Sequence, residues 1–141
     1  MSDCRLPLAE AVAGARGWDN VTRQIMLAGK TLRQPDNKWL DPSFQVSGCQ
    51  SQVYVWQTCD DKTENSQFAA WSDAKIIRGV LAIVLEKANE LTVTEVSSFD
   101  FATYLHNAGV IRQLSQSRAD GIGAVICRLQ ELASLATSPL R

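Results

Sequence analysis

The chain has 141 residues, 14 of them basic and 15 acidic, and 45% are hydrophobic. That is the size of one ordinary domain, able to bury about two-thirds of its unfolded surface without help from metals or disulfides. The near-balance of charge, with no like-charged block, excludes an electrostatic footprint for nucleic acid or an anionic membrane, and no apolar run approaches the ~20 residues that cross a bilayer.

Residues 1–5 (M-S-D-C-R) carry no positive stretch leading into an apolar segment, so they read as a frayed terminus rather than a secretory signal. The expected compartment is the cytoplasm, and one domain is expected over 1–141. Leu8, Ala9, Val12 and Ala13 suggest a weak first helix. Trp18, Val21, Ile25, Ala28 and Leu32 recur at three- and four-residue steps, which predicts a second, amphipathic one. Asp19 is its candidate N-cap, and Gly29 marks a weak point near its end. Two prolines and several turn formers make 33–42 a connecting loop.

The pattern then changes period. Phe44 and Val46 alternate with polar residues, Val53, Tyr54, Val55 and Trp56 form a β-branched and aromatic run, and 68–71 is a third candidate strand. A polar loop over 59–65 joins the last two, so three antiparallel strands are expected. Ser72 is a candidate cap for a helix in which Ile76, Ile77, Val80, Leu81, Val84, Leu85 and Ala88 cover well over a third of the circumference. This is the expected central helix. Thr94, Ser97 and Ser98 open a looser helical stretch that Gly109 ends, and the last helix is expected to start with a capping box, Ser117-x-x-Asp120. The order of helices, strands and helices predicts an α+β fold with a short three-stranded antiparallel sheet packed against several helices.

The four cysteines, at 4, 49, 59 and 127, show no C-x-x-C and no spacing that would build a zinc site around the single His106. No metal and no cofactor is expected on this chain. Cys49 stands in S-G-C-Q-S-Q, between two candidate strands, where functional residues concentrate. Gly48 supplies backbone freedom and leaves room beside the thiol for a macromolecular donor. The alternative is a small apolar filler in a turn. Cys59 begins a polar loop, Cys127 lies opposite the apolar face of the last helix, and Cys4 sits in the terminus; none has a motif around it. His106 reads as a helix-end residue. Trp18, Trp56 and Trp71 read as core, whereas Trp39, in a loop, is the one expected to be exposed.

The run G-C-Q-S-Q-V-Y-V at 48–55 resembles the signature of the SufE family, sulfur acceptors that partner cysteine desulfurases. Further matches fall in family order: Trp18-Asp19 followed by L-A-G-K-T-L at 27–32, W-S-D-A-K-I-I-R-G-V-L-A-I-V at 71–84, and L-S-Q-S-R-A-D-G-I at 114–122. The loop before the cysteine departs from the pattern, reading D-P-S-F-Q-V-S where relatives usually show an Asn and a basic residue. The resemblance implies a SufE/IscU-like fold in which Cys49 takes a sulfane sulfur as a persulfide, stimulates a cysteine desulfurase and passes the sulfur toward iron-sulfur cluster assembly. An iron-sulfur scaffold complex is the recipient it suggests. Pyridoxal phosphate would belong to the desulfurase alone, and no stand-alone small-molecule activity is implied. Persulfide exchange needs no triad, only a thiolate, an approach and a stable leaving thiolate.

Around Cys49 the resemblance points to Gly48, Gln50, Ser51 and Gln52 as loop residues, with Asp73 and Arg118 as candidates for holding the loop. Each of the last two has a plain structural alternative: Asp73 as support for the central helix N-terminus, Arg118 as a first-turn surface residue. Because an exposed persulfide is lost to reductants and oxidants, the loop is expected to tuck Cys49 away until the partner draws it out. Two rival functions are an iron-sulfur scaffold, which needs about three cysteines to converge, and a non-catalytic allosteric activator of a desulfurase.

Overall fold

A computed structural model describes residues 6–32, 34, 35, 37, 40–46, 52–59 and 66–136, apart from the side chains of Ser43, Thr58, Cys59, Ser66, Gln67, Leu135 and Ala136. In chain order the elements are α1 (Pro7–Gly14), α2 (Trp18–Gly29), β1 (Val53–Cys59), β2 (Ser66–Ser72), α3 (Lys75–Glu90), α4 (Val93–Val96), α5 (Phe101–Asn107) and α6 (Gln116–Ala136). Short 3-10 turns lie at Pro42–Phe44 and Ile111–Gln113. The α+β class is as expected, with six helices and an antiparallel pair of strands among the described residues.

The expected third strand is not there among the described residues. Pro42 fixes φ and lacks an N–H. The chain instead turns through Pro42–Phe44, with Phe44 N–H bonded to Asp41 O (2.9 Å) and Gln45 N–H to Pro42 O (3.2 Å). Only the isolated bridge of Gln45 to Tyr54 remains beside β1.

In β1 and β2, Val53 pairs with Ser72, Tyr54 with Trp71, and Val55 with Ala70. The period of two sends Val53, Val55, Phe68 and Ala70 into the main core, while Tyr54, Trp56 and Trp71 form a second cluster on the other face with Leu32, Leu40 and Phe44. The free edge of β2 is covered by a side chain: Asn89 Oδ1 accepts from Phe68 N–H (2.8 Å), and its Nδ2 donates to Phe68 O (3.0 Å).

The central helix is α3, buried along nearly its whole circumference from Ile76 to Ala88, including Val80, Leu81, Ile83 and Val84. Helix α2 crosses it at Gly29 and Gly79. A Cβ on Gly29 would stand 2.9 Å from Gly79 N, and one on Gly79 would strike the carbonyl of Ile25. What the sequence suggests as a weak point is the place where two backbones need room. Helix α1 is anchored by Glu86 of α3, whose two carboxylate oxygens accept from Leu8 N–H at 3.1 and 3.0 Å in the first helical turn. A carboxylate there satisfies a free donor and complements the helix dipole.

Several caps differ from expectation. Helix α2 starts one residue before Asp19, after Gly17 at φ 88°, with no side-chain cap. Ser72 ends β2; its Oγ accepts from Ala74 N–H (3.2 Å), and Ala74 is the residue that precedes α3. In α6 the capping oxygen is that of Ser115, which accepts from Arg118 N–H (3.3 Å), so Ser117 and Asp120 do not form the capping box. Thr92 with Glu95 at α4 does form a capping box. Gly109, at φ 84°, does end α5, with its N–H on His106 O (3.0 Å) and that of Val110 on Leu105 O (3.1 Å).

Candidate functional site

Cys49 and its neighbours Gly48, Gln50 and Ser51 lie outside the described residues, as do Cys4 and Trp39 and the side chain of Cys59. The backbone on either side of Cys49 is described. Val46 N–H donates to Val53 O at 2.8 Å, one residue beyond the Gln45 to Tyr54 bridge. The chain that leaves Val46 therefore returns at Val53, the first residue of β1, and Cys49 falls midway between these two anchors. Both anchors are buried, while Gln52, the last residue before β1, is exposed.

Register places the start of α3 beside that return point. Ser72 lies opposite Val53 in the last pair, and Asp73 follows one step beyond it. Asp73 is exposed, and its carbonyl and that of Ser72 are held by one side chain, Arg78. Arg78 Nε donates to Ser72 O (2.9 Å) and Nη2 to Asp73 O (3.4 Å). The same guanidinium lies over the indole of Trp71, 4.1 Å from the ring centre. A planar, permanently charged group that stacks and donates at once is a task for arginine rather than lysine. In the sequence Arg78 is the one charged residue between Ile76 and Leu85, and that charge within an otherwise apolar stretch is the signal that marks it.

Of the residues expected around Cys49 and its loop, Gln52 and Asp73 are described, and each is the next residue in sequence beyond the last strand pair, Val53 and Ser72. Arg118 lies in the first turn of α6, exposed, and its backbone N–H is bonded to Ser115 Oγ; its side chain makes no hydrogen bond or ion pair with another described residue. Cys127 is exposed on α6, and His106 is exposed in the last turn of α5. Among the described residues no three His, Cys, Asp or Glu side chains are grouped to hold a metal ion, and no helix is long and apolar enough to cross a membrane. Trp56 and Trp71 are buried as expected, but Trp18 is 66% exposed, because it opens α2 while the packing of α2 on α3 is concentrated at Ile25 and Gly29.

The family model for SufE, the Fe-S metabolism associated domain, matches residues 7–133. The chain belongs to the SufE family. That match runs from the first residue of α1 to the closing turns of α6, so it covers every element of the SufE fold seen here. Among curated relatives, an uncharacterized SufE-like protein of Haemophilus influenzae is 28% identical over 125 residues, covering 89% of this chain and 98% of that protein. Uncharacterized SufE-like proteins of Rhizobium etli and Rhizobium meliloti are 29% and 30% identical, covering 84% and 82% of this chain and 81% and 84% of their own lengths. A SufE domain places the chain in iron-sulfur metabolism.

Proposed function

We propose that this SufE-family protein is a sulfur carrier whose Cys49 receives sulfane sulfur from a cysteine desulfurase and passes it on for iron-sulfur cluster assembly. The observation that carries the reading is the bond of Val46 to Val53, which ties both ends of the segment bearing Cys49 to the head of β1 in a SufE domain. A carrier thiol must meet the cysteine of another protein, and a connecting segment that enters a strand at the end of a sheet is a position from which it can.

The transfer is an exchange at divalent sulfur. The Cys49 thiolate attacks the outer sulfur of the partner's cysteine persulfide; the partner's S–S bond breaks as the new one forms, and the partner leaves as a thiolate that takes up the proton given up by Cys49. Nothing is oxidised or reduced overall. Pyridoxal phosphate stays with the desulfurase, which makes the persulfide. A second exchange delivers the sulfur to an iron-sulfur scaffold complex. Gly48, Gln50, Ser51 and Gln52 shape the approach to the thiol, Asp73 holds the return of the loop, and Arg118 is the remaining positioning candidate.

The test is desulfurase turnover with cysteine as substrate, with and without this chain. Wild type and a variant with Cys4, Cys59 and Cys127 all changed to Ser are expected to raise turnover alike, and Cys49→Ser to abolish the increase. Full stimulation by Cys49→Ser would instead identify an allosteric activator.

A further inference from the structure

A groove of about 460 Å³ runs between the outer side of α2 and the first turn of α3, lined by Arg23, Met26, Leu27, Lys30, Lys75 and Arg78. Two features set it apart. Its floor is apolar and uncovered: among the described residues the exposed large hydrophobics are Trp18, Met26 and Leu27, all on α2, and two of them line this groove. Its rim is cationic, with four basic side chains against the single carboxylate of Asp19 among the described lining residues, on a chain whose net charge is −1. Arg23, Lys30 and Lys75 make no ion pair with any described residue, so their charges face outward unspent.

The groove is also continuous with the candidate site. Arg78 forms part of its wall and at the same time grips Ser72 O and Asp73 O. Ser72 pairs with Val53, which accepts the Val46 N–H that ties the Cys49 segment. One arginine thus separates the groove from the return point of the loop.

We infer that the groove is the seat of the sulfur-donating partner, which docks through an acidic segment carrying one or two apolar side chains. This rests on the carrier reading and adds the surface the donor uses. Apolar side chains fill the floor at Met26 and Leu27, carboxylates meet Arg23, Lys30 and Lys75, and the donor's persulfide is presented beside the loop. Charges at such a rim chiefly steer the encounter and make association sensitive to salt.

Calorimetric titration of the full chain with the pyridoxal-phosphate-loaded cysteine desulfurase of the source organism tests this without any sulfur transfer. Arg23→Glu with Lys30→Glu is expected to weaken affinity at least about tenfold at low salt and to flatten its salt dependence. Met26→Ser with Leu27→Ser, which removes floor rather than charge, is expected to weaken it similarly. The charge-matched pair Arg16→Glu with Arg112→Glu should stay within about twofold of wild type. Each variant is first shown to keep the wild-type circular dichroism spectrum. Affinity unchanged by both groove variants overturns the proposal, as does a wild-type chain that fails to bind. A dimer of this chain that sedimentation shows to be lost in the groove variants, with desulfurase affinity intact, also overturns it by assigning the groove to a second copy. Binding that depends on the groove, together with no sulfur reaching Cys49, would leave the docking surface standing and sink the carrier reading.

Discussion

Gly29 and Gly79 face each other where α2 crosses α3, so close that a Cβ on Gly29 would come 2.9 Å from Gly79 N and 3.2 Å from its Cα. The crossing brings α2, and with it the cationic groove, against the start of α3 and Arg78. Glycine is unfavourable inside a helix by about 0.5–1 kcal/mol relative to alanine, so its presence at Gly79 is explained by the approach and not by propensity.

Gly79→Ala should therefore destabilise the protein by about 3 kcal/mol or more, because the new methyl meets the Ile25 carbonyl and Ile25 Cγ2 (2.7 Å) rather than a yielding side-chain end. Gly29→Ala should cost less, roughly 1–3 kcal/mol. Urea denaturation of each variant measures both; a neutral Gly79→Ala would mean that the helices do not cross there.

Leu81 is 1% exposed in the middle of α3. Leu81→Ala should cost roughly 2–5 kcal/mol by lost transfer energy and the cavity left behind. A loss below about 0.5 kcal/mol would place the core elsewhere.

Lys87 is fully buried near the C-terminal end of α3, its Nζ 3.3 Å from Glu90 Oε2 and 5.5 and 5.4 Å from the rings of Phe99 and Tyr104. The methylene stem fills core volume while the ammonium is held by a carboxylate and two aromatic faces. Lys87→Met, which keeps the volume and leaves the half-exposed Glu90 to water, should cost less than about 1.5 kcal/mol. Lys87→Ala, which opens a cavity, should cost about 2–4 kcal/mol. Equal costs for the two would show that the charge and not the packing matters.

Acid should weaken the caps of α4 and α5. The hydrogen bonds from Thr92 hold the Glu95 carboxyl below its ordinary 4.5, and those from Thr103 hold Asp100 below 3.8. A carboxyl lowered in the folded state adds stability that is complete above its unfolded value and is lost as pH falls through the folded one. Chemical-shift titration should find both midpoints below those ordinary values, and Thr92→Val, which removes the hydroxyl but keeps the Thr92 N–H that Glu95 accepts from, should return Glu95 only part of the way toward 4.5. An unshifted Glu95 in wild type would contradict the capping box.

The elements that sequence reasoning reaches are those set by local periodicity. Helix α3 shows apolar side chains around most of its turn, Gly109 stops α5 by adopting φ 84°, and β1 is a β-branched and aromatic run. What escapes it is set by contacts across the chain. No local pattern announces that Glu86 will cap α1 from 78 residues away, or that Asn89 will cover the edge of β2. The alternation at Phe44 and Val46 suggests a strand, but Pro42 spends the preceding residues on a turn and leaves one bridge. Trp18 has helical spacing with Val21 and Ile25, yet it opens α2 and is uncovered. At the site, the family motifs mark Cys49, Asp73 and Arg118, whereas the role of Arg78 in gripping Ser72 and Asp73 while stacking on Trp71 becomes visible only once β2 and α3 are joined.

The most direct measurement of the carrier function is intact-protein mass spectrometry after incubation with a cysteine desulfurase and cysteine, followed by peptide mapping. A gain of one sulfur atom is expected, located on the peptide bearing Cys49, reversed by dithiothreitol and absent in Cys49→Ser. Sulfur on Cys4, Cys59 or Cys127 with Cys49 unmodified would contradict it, as would no sulfur on the chain while the desulfurase itself carries the persulfide.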